Sequence, residues 1–212
     1  LMLELPRNEA AHAALLEKGP HPACARLQVS LPLADRRLLS RLERLLSCLA
    51  HWCPLLGSVG ELPPTVFPWV RAFDGDDLSA FECCATVLLN WGQKLYEFHP
   101  NPPVALLGDA DAVLEAARPG LRAHLLSIGA GAQHWAWPLL ASLFARVLAR
   151  ADWLMLWDHL VCMEPPFLLF VLSAFVGLHE GALLNATGPE DVAAVLLRPS
   201  TPPMRKWLTA AY

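Results

Sequence analysis

Apolar side chains recur every third or fourth residue along most of this chain, and this spacing constrains its fold more than any other feature. Residues with this spacing share one face of an α-helix, whereas a half-buried strand needs strict alternation, which no window of the chain sustains. The sequence therefore predicts an all-α fold. The pattern is clearest over Arg36–Trp52, where one helix face is formed by Leu38, Leu39, Leu42, Leu45, Leu46, Leu49 and Trp52.

The second half of the chain repeats this spacing between short breaks. Residues 167–178 are apolar nearly all round, so we expect their helix to lie at the centre of the C-terminal half. Seven helices are predicted in this half, over residues 104–117, 118–128, 133–148, 152–163, 165–178, 190–197 and 203–212.

A cluster of prolines interrupts the helical pattern at residues 99–103, His-Pro-Asn-Pro-Pro. Proline cannot continue a helix, and the residue before it avoids the α region. A chain of 212 residues is long enough for one domain with two cores. We therefore predict a single domain over residues 1–212, with an N-terminal lobe over about 1–99 and a C-terminal lobe over about 103–212.

Composition limits the class of partner. Apolar residues make up 55% of the chain and charged residues only 17%, so much of the chain must be buried. The net charge is −4 and the basic residues are scattered, which favours neither nucleic acid nor an anionic membrane surface as a partner. The longest apolar run, residues 167–176, is about half of the roughly 20 residues that cross a bilayer. We expect a cytoplasmic protein without a transmembrane segment.

The residues offer little chemistry. No HExxH, GxSxG, P-loop or GxGxxG motif occurs, and six cysteines in apolar helical stretches are typical of buried free thiols. Asp74, Asp76 and Asp77 resemble half of a calcium loop, but the bidentate glutamate at the twelfth position is missing. A turn that leads into a helix accounts for them better. The sequence predicts no metal and no cofactor, and it favours a helical domain that binds a partner.

Three segments follow one another in the C-terminal half: residues 133–140, with a central tryptophan, residues 151–160, with Leu-Trp-Asp, and the apolar residues 167–175. Their order and spacing resemble the second half of a TBC domain, the Rab-GTPase-activating fold. The resemblance implies an all-α, two-lobed domain. The family's first helix normally carries Arg-x-x-x-Trp, which residues 1–7 lack, so the resemblance also implies that the chain begins inside the domain, the simpler account, or has lost that helix.

Further segments resemble one divergent branch of that family: residues 49–52, 90–91, 98–103 and 136–140. Members of this branch carry a WD-repeat region before the TBC domain and are associated with centrosomes, centriolar satellites and cilia. The resemblance implies that the chain is part of a longer protein, located at the centrosome or in a cilium or flagellum.

TBC domains typically accelerate GTP hydrolysis on Rab proteins with two inserted side chains, an arginine from IxxDxxR and a glutamine from YxQ. The arginine stabilises charge on the transferring phosphoryl group, the glutamine orients the attacking water, and an arginine finger is worth about 10³ to 10⁵ in rate. Matching residues 42–62 to the family pattern places Ser58 on the tyrosine and Gly60 on the catalytic glutamine. The resemblance therefore implies that the glutamine finger is missing.

The arginine motif matches residues 27–33, where Leu27 takes the place of the isoleucine, Ser30 that of the aspartate and Leu33 that of the arginine finger. With both fingers absent, the resemblance implies a module that is not itself an enzyme. Such a module binds a Rab-family small GTPase or a scaffold partner and has weak or no activating activity. The implied contact residues are Ser58, Val59, Gly60 and Glu61.

Two alternatives remain open. In the first, the chain is an active or atypical Rab GTPase activator in which Arg36 or Arg37 takes the arginine role. Gln28 or the GTPase's own glutamine then positions the water. In the second, the chain is a structural helical module of a centriolar or ciliary protein and has no GTPase partner.

Overall fold

The structure is a computed structural model that describes residues 8–212, apart from the side chains of Arg26 and Ser30. Residues 1–7 lie outside the described residues. The prediction about the family's first helix falls on these residues. Two short 3-10 helices cover Pro22–Arg26 and Pro54–Ser58. The α-helices are α1 (Glu9–Glu17), α2 (Leu27–Ser30), α3 (Arg36–Trp52), α4 (Leu62–Ala72), α5 (Asp77–Asn90), α6 (Gln93–Tyr96), α7 (Val104–Ala117), α8 (Pro119–Ser127), α9 (Ala132–Trp135), α10 (Trp137–Ala141), α11 (Arg150–Leu160), α12 (Phe167–Leu178), α13 (Glu180–Leu183), α14 (Pro189–Leu196) and α15 (Met204–Ala211).

The all-α prediction is confirmed. Within residues 8–212 the β pairing is limited to an isolated bridge between Leu148 and Ser200, and no strand forms. Across the same residues, no helix combines the length and the apolar character needed to span a bilayer.

The chain divides into two compact units, Leu1–Val87 and Leu88–Tyr212. Residues 88–99, which the sequence analysis assigns to the N-terminal lobe, fall in the second unit. The buried Trp91 helps to explain why these residues belong to the second unit. The centre of its ring lies 5.9 Å from that of Trp157, a residue of the same unit. The lobe boundary at the proline cluster and the single domain over residues 1–212 stay predictions.

Helix α3 organises the first unit, and its predicted bounds are confirmed. Asp35 caps its first turn, because Oδ1 accepts hydrogen bonds from the backbone N–H groups of Arg37 (2.9 Å) and Leu38 (3.1 Å). Leu42 and Leu49 are fully buried on the predicted apolar face. That face packs against α1, α4 and both 3-10 helices.

Helix α12 forms the core of the second unit, as its all-round apolar sequence predicts. Val171, Leu172 and Phe175 are fully buried, and the helix packs against α7, α13 and α15. Trp207 of α15 is also fully buried, and its indole Nε1 donates a hydrogen bond of 2.9 Å to the Val171 carbonyl. That bond satisfies the one polar atom that the indole brings into the core.

The helix predicted over residues 133–148 is wrong beyond residue 141. Here α9 and α10 are followed by a turn in which Leu143 (φ 48°) and Phe144 (φ 63°) adopt left-handed backbone conformations. Such a conformation is unfavourable for large side chains. Tertiary contacts compensate, since the Phe144 ring lies 5.5 Å from Phe175 and the Trp153 indole donates a 3.0 Å hydrogen bond to the Leu143 carbonyl.

The cysteines are all free, as predicted, but they are not all buried. Cys24, Cys48 and Cys84 are buried, whereas Cys162 is exposed. The prediction of burial is wrong for Cys162 because this residue follows the end of α11, where its thiol donates to the Asp158 carbonyl at 3.4 Å.

Candidate functional site

The candidate contact residues are Ser58, the last residue of the 3-10 helix Pro54–Ser58, and the short loop that joins this helix to α4. Ser58 Oγ donates a hydrogen bond of 2.7 Å to the Leu55 carbonyl, which closes the turn. At the other end of the loop, the Glu61 carbonyl accepts a 2.7 Å hydrogen bond from the Thr65 hydroxyl on α4. Val59 is buried between these two anchors. The loop is therefore fixed at both ends, and Ser58 and Gly60 are exposed on it.

Gly60 lies in open space. A Cβ atom built on it would meet no heavy atom within 4 Å. Gly57, by contrast, is enclosed, because a Cβ there would lie 3.0 Å from the imidazole Cε1 of His21. The position matched to the catalytic glutamine could thus hold a side chain without a clash, and in this chain it holds none.

A cavity of about 230 Å³ lies beneath this loop, inside the first unit. Its walls are mostly apolar and include Leu46 and Ala50 of α3 together with Val59 and Gly60 of the loop. Leu27, matched to the isoleucine of the arginine motif, also lines it. The structure therefore brings the start of the predicted arginine motif next to the predicted glutamine position.

The end of the arginine motif offers no cation. Leu33 lies in the loop between α2 and α3, where it is half-buried, and its carbonyl accepts a 3.2 Å hydrogen bond from the amide of Gln28. The side chain of Ser30 lies outside the described residues. Gln28, the suggested substitute for positioning water, uses its amide in this local contact.

Arg36 and Arg37, the suggested substitutes for the arginine finger, are exposed in the first turn of α3. Ala50, which lines the cavity beneath Gly60, follows Arg36 by fourteen residues on the same helix. At 1.5 Å per residue, about 21 Å of helix axis separates the two positions. The structure therefore places both arginines at the opposite end of α3 from the loop.

A group of four polar residues at and beside the cavity was not predicted from the sequence. Cys24 lines it, and its thiol lies 3.6 Å from the hydroxyl of Ser47. Burial raises the pKa of the Cys24 thiol. Ser47 also accepts a 2.9 Å hydrogen bond from the backbone N–H of His21, whose ring packs edge-on against His51 at 4.9 Å. The pair His21 and Cys24 is distant in sequence from the pair Ser47 and His51, and the four form no motif, so no local signal could have brought the two pairs together.

The three aspartates that resemble half of a calcium loop make contacts within the protein. Asp76 lies just before α5 and caps its first turn, because Oδ1 accepts a 3.0 Å hydrogen bond from the backbone N–H of Ser79. Arg41 of α3 donates to Asp74 at 2.9 Å and to Asp77 at 3.0 Å. Within residues 8–212, no group of three or more His, Cys, Asp or Glu side chains is arranged to hold a metal ion.

Comparison with known proteins gives consistent matches. The profile of the Rab-GTPase-TBC domain family matches residues 28–184. The chain is 38% identical over 190 residues to TBC1 domain family member 31 of Xenopus tropicalis. This match covers 90% of the chain but only 18% of that relative, so the chain spans about a fifth of the length of the curated relative.

Two solved structures share the fold at low sequence identity. A flagellar RabGAP TBC domain of Chlamydomonas superposes with a TM-score of 0.71 at 17% identity, over 100% of this chain and 68% of that one. The Ypt/Rab-GAP domain of Gyp1p superposes with a TM-score of 0.72 at 15% identity, over 95% of this chain and 76% of that one.

Proposed function

The chain belongs to the Rab-GTPase-TBC domain family, and from this membership we propose that it binds a Rab-family small GTPase or a scaffold partner through residues 58–61 and accelerates GTP hydrolysis weakly or not at all. The observation that carries this proposal is Gly60, which is exposed and has no side chain to orient a water molecule. Leu33, matched to the arginine finger, brings no charge to stabilise a transferring phosphoryl group.

The surroundings of Gly60 favour binding over catalysis. The loop is fixed by the hydrogen bonds of Ser58 and Glu61, so a partner that contacts it need not order it first. The apolar cavity beneath it offers space for an apolar side chain of the partner. A fixed loop that exposes Ser58 and Gly60 above an apolar cavity, without a catalytic group, suits a binding module.

The active or atypical activator is the second candidate. It requires Arg36 or Arg37 to reach a phosphoryl group bound near Gly60, but about 15 Å of helix axis lies between Arg36 and Leu46, the nearer α3 residue of the cavity wall. Transition-state stabilisation depends on direct contact with the developing charge. This separation argues against the alternative. Stimulated hydrolysis that is lost when Arg36 and Arg37 are both replaced by alanine would restore it.

A structural role without any GTPase is the third candidate. It gains some support because the chain covers only 18% of the length of its Xenopus relative, so most of such a protein lies outside this domain.

We also propose a cytoplasmic location at the centrosome or in a cilium.

The proposal is tested by single-turnover GTP hydrolysis of a panel of Rab proteins with and without this chain, together with binding to their GTP-bound and GDP-bound forms. We expect binding of at least one Rab and stimulation below about tenfold. Stimulation of 10²-fold or more would contradict the proposal, since an intact arginine finger gives about 10³ to 10⁵. Neither binding nor stimulation for any Rab would favour the structural module.

Glu61 provides a test of the binding face. A carboxylate near the γ-phosphate should repel the GTP-bound form, so Glu61→Gln should strengthen binding to a GTP-bound partner. Unchanged affinity would speak against this loop as the contact surface.

Restoring the fingers tests the assignment of the motif. A chain that carries both Leu33→Arg and Gly60→Gln should gain stimulated hydrolysis, because both catalytic groups return to their matched positions. Gly108→Gln is the matched control, since a Cβ on that glycine of α7 also meets no atom within 4 Å. Equal hydrolysis by the restored and control chains would show that the assignment is wrong.

A further inference from the structure

Ser58 and Glu61 of the candidate contact residues form the pattern Ser-x-x-Glu. At the start of a helix this pattern usually forms a capping box, in which the serine side chain accepts a hydrogen bond from a backbone N–H group of the helix. The structure shows a different arrangement. Helix α4 begins only at Leu62, and the Ser58 hydroxyl donates backwards to the Leu55 carbonyl. Helix capping therefore does not explain this pair of residues.

A serine followed three residues later by a carboxylate is also the pattern that acidophilic protein kinases read. Cationic groups of such a kinase form charge-assisted hydrogen bonds with the carboxylate. The surroundings of Ser58 suit this class of enzyme, because no lysine or arginine occurs between Arg44 and Arg71 to repel those cationic groups. Ser58 is also exposed, so its hydroxyl lies at the surface.

Three other hydroxyl groups stand three residues before a glutamate, those of Ser40, Ser79 and Thr187. Ser40 lies inside α3 and Ser79 lies in the first turn of α5, so a kinase would have to unwind a helix to reach either one. The hydroxyls of Ser79 and Thr187 also donate to carboxylates, at 2.5 Å to Asp76 and at 2.7 Å to Asp191. Local structure therefore disfavours all three as kinase substrates.

Ser58 is easier to present to a kinase. It is the last residue of a short 3-10 helix, and the next residue, Val59, already has an extended backbone (φ −78°, ψ 105°). Releasing the Ser58 hydroxyl breaks its hydrogen bond to the Leu55 carbonyl, and releasing the buried Val59 side chain frees the loop. Both are local openings that leave the α-helices intact.

We propose that Ser58 is a phosphorylation site for an acidophilic protein kinase and that its phosphate switches off binding at the contact loop. In the reaction the Ser58 oxygen bonds to the γ-phosphorus of ATP, and the bond between that phosphorus and the bridging oxygen of ADP breaks. ADP leaves, and a base of the kinase takes the hydroxyl proton. The effect on binding rests on the proposed function, because it requires a GTPase at residues 58–61.

The phosphate changes the loop in two ways. It replaces the hydroxyl proton, so Ser58 can no longer donate to the Leu55 carbonyl and close the turn. It also adds a charge of about −1.5 to −2 three residues before Glu61, on the face proposed to lie near the γ-phosphate of a GTP-bound partner. Like charges repel, so the phosphorylated chain should bind a GTP-bound Rab at least about tenfold more weakly.

The modification is tested by treating the 212-residue chain with casein kinase II, ATP and Mg²⁺ and locating the phosphate by tandem mass spectrometry. We expect a phosphate on Ser58 in the wild type and none at this position in Ser58→Ala. Glu61→Gln should slow incorporation about tenfold, the value of one charge-assisted hydrogen bond. Ser40→Ala, which removes the same pattern from inside a helix, is the matched control and should be phosphorylated like the wild type. Circular dichroism confirms that each variant is folded.

The switch is tested by titrating a GTP-bound Rab with the untreated chain, the phosphorylated chain and the phosphorylated chain after treatment with a phosphatase. We expect the affinity to fall at least about tenfold on phosphorylation and to recover fully after the phosphatase.

Three results would overturn the proposal. The first is phosphate that is absent from Ser58, whether or not other hydroxyls carry it. The second is incorporation at Ser58 that Glu61→Gln leaves unchanged. The third is a phosphorylated chain that binds as tightly as the untreated one. If no Rab binds the untreated chain, the proposed function fails and the switch fails with it, whereas the mapped phosphate still decides whether Ser58 is a modification site.

Discussion

Arg41 provides the sharpest stability test of the first unit. It is only 8% exposed, and its guanidinium makes three hydrogen bonds, to Asp77 Oδ1 at 3.0 Å, Asp74 Oδ1 at 2.9 Å and the Phe73 carbonyl at 2.6 Å. These bonds join α3 to the turn between α4 and α5. Arg41→Met keeps much of the aliphatic stem but removes all three bonds.

The expected loss follows from what each partner retains. Removing one member of a buried ion pair costs about 3–5 kcal/mol when the other charge is left without a partner. Asp74 is 94% exposed and becomes hydrated, and Asp77 keeps Arg44 at 2.8 Å. The remaining loss is mainly the bond to the Phe73 carbonyl and one bond to Asp77. We expect Arg41→Met to lower the free energy of unfolding by about 2 kcal/mol.

The assay is urea unfolding followed by circular dichroism at pH 7. With an m-value of about 2 kcal/mol/M, the loss corresponds to a midpoint lower by about 1 M. Arg44→Met is the matched control. Arg44 is half-exposed and pairs only with Asp77 among the described residues, so its loss should cost below about 1 kcal/mol. An Arg41→Met chain no less stable than the control would refute the reasoning.

The same variant has a predicted dependence on pH. Burial by itself raises the pKa of Asp77, but the hydrogen bonds from Arg44 and Arg41 outweigh burial and hold its pKa below the ordinary value. A lowered pKa stabilises the fold above the unfolded-state value of about 3.9, and this contribution is lost as the pH falls through the folded-state value. The stability difference between wild type and Arg41→Met should therefore shrink below about pH 4. A difference that is unchanged at pH 3 would contradict the electrostatic account.

Three other substitutions and one chemical reaction test particular positions. Gly60→Gln should change the free energy of unfolding by no more than about 0.5 kcal/mol in urea titrations, because a Cβ there meets no atom within 4 Å. Gly92→Ala should lower the free energy of unfolding by about 1 kcal/mol or more, since the new Cβ would lie 2.8 Å from a backbone oxygen. Gly108→Ala, in an open stretch of α7, should raise the free energy of unfolding by roughly 0.5–1 kcal/mol. Equal melting temperatures for these two variants would contradict this reasoning. Burial raises the pKa of Cys48 to about 11. At pH 8 the Cys48 thiol should therefore react with a disulfide reagent far more slowly than the thiol of the exposed Cys162. Equal reaction rates for the two thiols would contradict the burial of Cys48.

The helices that the sequence predicted well are those with local signals at both ends. Arg36–Trp52 begins after the capping Asp35 and carries a continuous apolar face, and Val104–Ala117 lies between the proline cluster and Pro119. Both are observed with the predicted bounds. Residues 133–148 carry an equally apolar pattern, yet the helix ends at Ala141. Periodicity could not show this, because the left-handed turn that follows is stabilised by aromatic residues distant in sequence.

The candidate site was only partly predictable. Its loop could be located by matching the family pattern around Gly60, and the absence of a side chain there is a property of the sequence itself. The cavity beneath the loop could not be predicted, since it needs Leu27, Ala50 and Val59 to meet in space.

The sequence by itself determined the helical class and the family, because each depends on residue types at short spacing along the chain, and it predicts Gly60 at the position of the catalytic glutamine. Tertiary structure decided which side chains meet. It places Arg36 about 15 Å of helix axis from Leu46, the nearer of the two α3 residues in the cavity wall. The physical reason is that helix periodicity fixes the face of each residue, whereas the packing of helices against one another fixes the neighbours of that face.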